Sequence, residues 1–375
     1  MELLFGVIVG LALLIFLVVI HELGHAVAAI RSGVVVEEFG IGFPPLACKK
    51  KLKNKILFTL NWLPLGGYVK LQGEYDSASE KGDYGAATFW QKTKILFAGV
   101  FINWLAAAVI LSLLALVGMP KVLPDQFSVA GDTKITSQAV QITNLTSGHP
   151  AEKVGLKPGD KIIKFSGQDV TSVEELIAVI KENKNKTVDI TYDRDGTENT
   201  VSVPLGAETE GGILGAGLGQ REFIKATWSA PIVGVATTIQ FTGATFQGLG
   251  DLFVNLFNGI VMQFSNNKQA QADLAAVSDS VAGPIGILGT IFPAASQAGP
   301  VQLMFLTAII SLSLAVMNVL PIPALDGGRW FTMLIFKLSK KRLTKEREEK
   351  IQMVGFYMLM GLTLLVTLVD VTKLF

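Results

Sequence analysis

The chain has 375 residues, of which 50% are hydrophobic and 17% are charged, and its formal net charge is +1. Soluble domains carry about 25% charged residues, so this composition indicates a membrane protein with some soluble mass. The small net charge gives no reason to expect a nucleic-acid partner. The single cysteine, Cys48, excludes an internal disulfide and any zinc site built from cysteines.

Four apolar segments are long enough to cross a bilayer, which requires about 20 apolar residues in a helix. They are residues 3–30, 95–119, 301–320 and 351–369. Lysine and arginine are concentrated in the loops 31–94 and 329–350, which the positive-inside rule assigns to the cytoplasm. We therefore expect both termini and the middle of the chain on the outer side of the membrane, with the lipid bilayer as a partner.

The first span contains the sequence His-Glu-Leu-Gly-His, from His21 to His25. On a helix these two histidines are one turn apart and face the same way, so both imidazoles can reach one Zn²⁺ ion. Glu22 lies beside them, where it can take a proton from a metal-bound water. Ionisable groups inside a bilayer are costly and persist mostly for function. We therefore predict that His21 and His25 bind metal and that Glu22 is catalytic.

The loop after the first span, residues 34–72, is rich in strand-forming side chains, and residues 56–60 and 67–71 are predicted as hairpin strands. One interpretation is a surface hairpin that covers the membrane domain. The other is an edge strand for substrate. A transmembrane helix satisfies its peptide groups internally, so a protease that unwinds it can replace the lost hydrogen bonds by strand pairing.

Between residues 127 and 206 the pattern changes from membrane-like to soluble. A helix is predicted at 173–181, capped by Thr171 or Ser172. Four strands are predicted, at 141–144, 161–165, 188–192 and 200–203. The stretch from Ala151 to Asp160 resembles a PDZ domain, a module that binds peptides by adding a strand to its sheet. A structural spacer is the alternative interpretation.

Residues 230–264 are fairly apolar but interrupted by glycines and polar side chains. We predict amphipathic helices on or near the outer membrane surface. A fifth span there would place the ends of the first and third spans on opposite sides of the membrane.

A catalytic zinc usually takes three protein ligands, so a third ligand is expected besides the two histidines. His149 is the other histidine, but it lies in a predicted soluble loop on the opposite side. Asp326 follows the third span, on the side where the first span ends. Pro321 and Pro323 break the helix before it, and such irregular backbone is tolerated at membrane depth only where it is buried in protein or lines a cavity. We therefore predict that Asp326 is a metal ligand rather than part of an ordinary turn.

These motifs resemble those of the site-2 protease family of intramembrane zinc metalloproteases, in the bacterial branch typified by the regulator of sigma-E protease. The motifs are His21-Glu22-Leu23-Gly24-His25 and Asn318-x-x-Pro321-x-Pro323-x-Leu325-Asp326-Gly327. The stretches from Pro64 to Lys70 and from Gly283 to Gly286 also match. One difference is in the second span, where Gly99-Val-Phe-Ile-Asn103 lacks the proline of the family's Gly-Pro-x-x-Asn pattern.

The resemblance implies a Zn²⁺-dependent endopeptidase in a bacterial plasma membrane, with its active site toward the cytoplasm. Its substrates would be membrane proteins with a single transmembrane helix, such as anti-sigma factors or signal-peptide remnants. Two groups of residues would bind substrate. One is the sheet edge formed by Gly66, Gly67, Tyr68 and Val69, and the other is the proline-rich helix break with Asn318, Pro321 and Pro323.

The predicted fold is a polytopic α-helical membrane protein with about four transmembrane helices, a membrane-associated β-hairpin region and one inserted PDZ-like α+β domain. The predicted parts are the N-terminal protease region, the PDZ-like domain, the extracytoplasmic helices with linker and the C-terminal protease region, at 1–126, 127–206, 207–300 and 301–375. The alternative function is a membrane-anchored PDZ adaptor with a non-catalytic metal site. The presence of Glu22 disfavours it, because a structural metal site needs no base.

Overall fold

The structure, a computed structural model, describes residues 2–52, 55–207, 212–263 and 282–374. It divides into two compact units, Met1–Leu114 with Ala230–Phe375, and Ala115–Ser229. We call the first the membrane unit and the second the inserted unit. The inserted unit contains the predicted 127–206 domain and extends beyond it at both ends.

The described helices, in chain order, are α1 (Glu2–Arg31), α2 (Phe89–Val117), α3 (Pro150–Lys153), α4 (Val173–Glu182), α5 (Ala230–Gln263), α6 (Pro284–Gly286), the π-helix Ile287–Ile291, α7 (Phe292–Gln297), α8 (Pro300–Val319), α9 (Asp326–Leu338) and α10 (Lys345–Leu374). The described strands are β1 (Val36–Lys51), β2 (Leu57–Leu71), β3 (Met119–Lys121), β4 (Lys134–Ser137), β5 (Val140–Leu145), β6 (Lys161–Phe165), β7 (Gln168–Asp169), β8 (Thr187–Arg194), β9 (Thr197–Pro204), β10 (Ala216–Gly219) and β11 (Glu222–Lys225).

Four described helices, α1, α2, α8 and α10, are long and apolar enough to cross a membrane, which confirms the predicted number. Two of them begin more than one turn before the predicted apolar spans, α2 at Phe89 instead of 95 and α10 at Lys345 instead of 351, because polar residues extend each helix. At the start of α2, Thr88 and Gln91 form a reciprocal cap. The Thr88 backbone N–H donates to Gln91 Oε1 at 2.8 Å, and the Gln91 N–H donates to Thr88 Oγ1 at 3.3 Å.

The sheet after α1 is not a simple hairpin. Residues 38–41 of β1 pair with residues 67–70 of β2 on one side and with residues 57–60 on the other. The two predicted strand segments therefore do not pair with each other, because β1 lies between them. Among the described strands, none pairs with the second edge of residues 67–70, so this segment is an edge of the sheet.

The inserted unit contains a six-stranded and a three-stranded sheet. Their strand orders are β10-β5-β6-β8-β9, with β7 paired to β6, and β3-β11-β4. The predicted strands and helix of this region are confirmed within a few residues. Ser172 is the cap of α4, since its Oγ accepts the Glu175 N–H at 3.1 Å. The core is formed by buried apolar side chains of the strands and α4, including Ile142, Ile162, Phe165, Leu176 and Ile190.

One ion pair fixes the PDZ-like stretch of the inserted unit to its sheet. Arg194, at the end of β8, donates from Nε to Asp160 Oδ1 at 2.7 Å and from a terminal nitrogen to Asp160 Oδ2 at 2.7 Å. Burial alone would raise the pKa of Asp160, but the hydrogen bonds from Arg194 and from the Lys157 N–H outweigh it and lower that pKa. Asp160 is therefore ionised, and the turn before β6 is held against β8.

The prediction for residues 230–264 was wrong in one respect, because residues 230–263 form the single helix α5. Its first half packs against the spanning helix α2. A Cβ at Gly234 would lie 2.2 Å from Ser112 Oγ of α2. Farther along, the Trp104 indole of α2 donates to Thr242 Oγ1 at 3.1 Å. Residue 264 and the following residues to 281 lie outside the described residues.

Two threonines of α5 are satisfied within the helix. Thr238 Oγ1 donates to the Gly234 carbonyl at 2.7 Å, and Thr242 Oγ1 donates to the Thr238 carbonyl at 2.7 Å. A threonine bonded in this way presents little free polar surface. These two threonines are therefore compatible with the packing of α5 against α2.

Candidate active site

Helix α1 and the start of α9 bring together three side chains that could hold a metal ion. His21 and His25 are 8% and 9% exposed, and their Nε2 atoms are 3.1 Å apart. Asp326 Oδ2 lies 3.2 Å from His21 Nε2 and 3.3 Å from His25 Nε2. Among the described residues, these three are the group of His, Cys, Asp and Glu side chains that converges closely enough to hold one ion.

The spacing of these atoms fits a tetrahedral metal site. Zinc binds histidine nitrogen and carboxylate oxygen at about 2.0–2.2 Å, so two such ligands in a tetrahedron lie about 3.3–3.5 Å apart. The three observed separations are 3.1, 3.2 and 3.3 Å. Three protein ligands leave one position of the tetrahedron open, which is the pattern of catalytic sites.

Polar groups of helix α2 contact the Nδ1 atoms of both histidine rings. His25 Nδ1 is 2.8 Å from the Ile95 carbonyl, so Nδ1 carries the proton and Nε2 is free for a metal. His21 Nδ1 is 3.4 Å from Asn103 Nδ2, and Asn103 Oδ1 is buried with no partner. Turning this amide by half a rotation places Oδ1 opposite His21 Nδ1–H and satisfies the orphaned oxygen. Both rings then present Nε2 to the same point.

Glycines allow α1 and α2 to approach this closely. A Cβ at Gly99 would lie 2.5 Å from His25 Nε2 and 2.8 Å from His21 Nε2. A Cβ at Gly24 would lie 2.7 Å from the Ala98 carbonyl oxygen. In the sequence, Gly99 and Asn103 are recognisable only as a variant of a family pattern. The structure shows that both contact the metal-binding histidines.

The edge strand of β2 contacts Glu22. The Val69 backbone N–H donates to the Glu22 carboxylate. A Cβ at Gly67 would lie 3.1 Å from Glu22 Cγ, so the strand backbone passes directly against this side chain. A cavity of about 350 Å³ opens here. Its lining includes the three metal-binding residues, Glu22, the predicted substrate-binding residues Gly66, Gly67, Tyr68 and Val69, and Asn318.

The proline-rich break lines the cavity only in part. Asn318 lines the cavity, where its Nδ2 donates to the Leu314 carbonyl at 3.0 Å. Among the described residues that line the cavity, Pro321 and Pro323 do not appear. A Cβ at Gly327 would lie 2.2 Å from the Val319 carbonyl oxygen. The glycine after Asp326 therefore lets α9 begin against the end of α8.

His149 belongs to the inserted unit and is not one of the three clustered residues. It is half-buried at the start of α3, and its Nδ1 lies 3.1 Å from the Ser147 carbonyl oxygen. The prediction that His149 is a loop residue and not a ligand agrees with this placement.

Arg329, one turn after Asp326, anchors the start of α9. Its Nε donates to Glu348 Oε1 of α10 at 3.2 Å, and a terminal nitrogen donates to Glu74 Oε1 at 3.5 Å. Its guanidinium carbon lies 4.6 Å from the centre of the Tyr84 ring. Burial alone would lower the pKa of Arg329, but Tyr84 and the two carboxylates outweigh it and raise that pKa. The permanent charge of Arg329 thus links helix α9, which begins at Asp326, to α10 and to the loop after β2.

Comparison with known proteins places this arrangement in a family. Residues 9–362 match the family described as Peptidase family M50, and the chain belongs to that family. It is therefore a peptidase, and its spanning helices make it a membrane protein.

Several relatives match nearly end to end. A putative zinc metalloprotease of Clostridium perfringens, CPE1693, is 30% identical and aligns with 96% of this chain and 97% of its own length. The regulator of sigma-W protease RasP of Bacillus subtilis is 26% identical, with 96% of each chain aligned. A crystal structure of the PDZ domain of an SdrC-like protein of Listeria monocytogenes is 26% identical over 24% of this chain and 93% of its own, with a TM-score of 0.20.

We predict that Gly99→Ala weakens metal binding about 10–100-fold, because the added methyl group displaces both imidazoles from the positions that α2 holds. Zinc content after purification, measured by elemental analysis, checks this. The matched control is Gly243→Ala on α5, where a Cβ meets no atom within 4 Å. Full zinc content in Gly99→Ala would contradict the prediction.

We predict that Arg329→Gln weakens zinc binding about ten-fold, because Asp326 then lies on a helix start without its anchor. Arg329→Lys should give an intermediate value, since lysine keeps the charge but not the forked geometry. Competition with a chelator measures the zinc Kd. Arg347→Gln is the control, because Arg347 is exposed and bonds only a backbone carbonyl at 3.4 Å. An unchanged Kd for Arg329→Gln would refute the anchoring role.

Proposed function

We propose that this peptidase is a zinc-dependent intramembrane endopeptidase that cleaves transmembrane segments of single-span membrane proteins, in regulated intramembrane proteolysis. Anti-sigma factors and signal-peptide remnants are examples of such substrates. The observation that supports it most directly is the meeting of His21, His25 and Asp326 beside Glu22 on a spanning helix. The relatives named zinc metalloproteases support zinc as the metal.

Each residue of the site has a separate role in the proposed hydrolysis of the peptide bond. His21, His25 and Asp326 would hold the zinc, with the ring orientations set by Ile95 and Asn103. When bound, zinc supplies Lewis-acid polarisation of the scissile carbonyl and acidifies water. Glu22 takes the proton from the attacking water and returns it to the leaving amide nitrogen. The Val69 N–H orients the Glu22 carboxylate for both transfers.

The edge strand of β2 is proposed to bind the substrate backbone. A helix cannot be cut until it is unwound, because its peptide groups are bonded to each other inside the helix. Residues 67–70 offer a strand edge that no other described strand occupies, and they line the same cavity as Glu22. Pairing with this edge restores the backbone hydrogen bonds of an unwound segment. Asn318, on the same cavity, is proposed to orient the substrate carbonyl.

We further propose a bacterial plasma membrane location, with the active site toward the cytoplasm. The basic loops 31–94 and 329–350 support this orientation. The inserted unit is proposed to lie on the other side of the membrane and to bind a peptide or protein as a PDZ-like domain. The absence of binding in titrations with substrate-derived peptides would count against that role.

The adaptor hypothesis is less well supported. A membrane-anchored adaptor with a structural metal needs no base next to the metal and no cavity beside it. Here Glu22 and the β2 edge line a cavity with the three ligands, and the family is one of peptidases.

We predict that Glu22→Gln lowers the cleavage rate of a single-span substrate in proteoliposomes about 10²–10⁴-fold while leaving zinc content unchanged. The amide cannot accept the proton, and Glu22 is not one of the three clustered ligands. Gel analysis of the products measures cleavage. Glu182→Gln is the control, because Glu182 is exposed on α4 of the inserted unit. Cleavage at the normal rate by Glu22→Gln would refute the proposed mechanism.

We predict that a substrate cysteine cross-links to the β2 edge and not to the opposite edge of the sheet. The test uses Glu22→Gln protein, which retains substrate, with Cys48→Ala and Val69→Cys. Cys48 itself is the matched control, because it is exposed on β1 where that strand pairs with Leu60 on the far side of the sheet. Equal disulfide yields at Val69→Cys and Cys48 would contradict edge-strand binding.

A further inference from the structure

A second cavity of the membrane unit, of about 660 Å³, lies apart from the metal-binding residues. It is enclosed by the loop 76–79, the first turn of α2, the last turns of α9 and the turn 341–344 that leads into α10. We call it the basic cavity. Its volume is within the range of small-molecule binding sites.

The basic cavity lies where spanning helices begin. Helices α2 and α10 both start at its wall, at Phe89 and Lys345, and both are long and apolar enough to cross a membrane. Beside it, Trp90 is 70% exposed and Leu338 is 73% exposed. Exposed tryptophan at the end of a spanning helix is typical of the membrane–water interface. The cavity therefore lies at the level of lipid headgroups.

The charge of the basic cavity is positive. Lys337, Lys341 and Arg342 line it, and none of the three forms an ion pair with a described carboxylate. A fourth cation, Lys92, is paired with the lining carboxylate of Asp76, so these two charges cancel. Three uncompensated positive charges thus face the same space.

The floor of the basic cavity is apolar. It is formed by Phe89, Met333, Phe336 and Leu343. Lys337 Nζ lies 4.0 Å from the centre of the Phe89 ring, which places one of the cations directly at the edge of the apolar floor. A small anion would contact only the cations, whereas an anionic amphiphile would contact both the cations and the apolar floor.

We propose that the basic cavity binds an anionic phospholipid. Its phosphate lies among Lys337, Lys341 and Arg342, and its glycerol and first acyl carbons cover the apolar floor. Basic pockets between spanning helices bind anionic headgroups in this way, and each cation near the surface adds about five-fold in affinity. The site is independent of the proposed peptidase chemistry, because none of its lining residues belongs to the cavity that contains Glu22.

The test is native mass spectrometry of the full-length protein in detergent, titrated with phosphatidylglycerol or phosphatidylcholine. The variant is the triple change Lys337→Gln, Lys341→Gln and Arg342→Gln. We expect the unaltered protein to retain one phosphatidylglycerol with an apparent Kd about a hundred-fold lower than that of the variant. Phosphatidylcholine should bind both equally weakly, and excess inorganic phosphate should not displace the retained lipid.

The control is the triple change Lys49→Gln, Lys50→Gln and Lys51→Gln, which removes three exposed lysines from β1. It should retain phosphatidylglycerol. Lys341→Glu, a single change at an exposed position, tests the site if the triple variant unfolds at a lower temperature. Undiminished lipid retention in the cavity variants, an equal loss in the control, or complete displacement by inorganic phosphate would each overturn the proposal.

Discussion

The structure depends on holding His21, His25 and Asp326, the proposed metal ligands, at separations of 3.1–3.3 Å between apolar helices. Each imidazole must offer one nitrogen to the metal and satisfy the other, since an unpaired polar atom is costly at this depth. Helix α2 meets this demand with the Ile95 carbonyl and the Asn103 amide. Both reach the rings only because Gly24 and Gly99 carry no side chain where α1 and α2 touch.

Asp326 is held in place by a different kind of contact. Asp326 comes from a break between α8 and α9, and the backbone of such a break needs support from neighbouring segments. Gly327 lets α9 pack against the end of α8, and Arg329 ties it to Glu348 and Glu74. Glu74 lies in the loop that follows β2, and β2 is the strand that contacts Glu22. Contacts within the membrane unit therefore connect Asp326, Glu22 and the edge of β2.

Predictions were confirmed where the contacts that stabilise an element lie between residues close together in the sequence. The cap of α4 by Ser172 and the pairing of β8 with β9 around Asp195 follow from neighbours in the sequence. Predictions failed where partners are distant. Residues 56–60 and 67–71 lie on either side of β1, and α5 packs along α2 through Gly234. An apolar pattern shows that a face is buried, but it does not show which segment covers it.

Local sequence features establish the chemistry of the site. The one-turn spacing of His21 and His25, the adjacent Glu22 and the length of four apolar segments are local properties that survive any arrangement of the helices. The residues that orient that chemistry are set by packing between distant segments. Asn103, Gly99 and Arg329 contact residues that are far away in the sequence. Pro321 and Pro323 shape a loop but are not among the described residues that line the cavity. Such roles depend on close contact between helices, where a shift of about one ångström changes which atoms can bond.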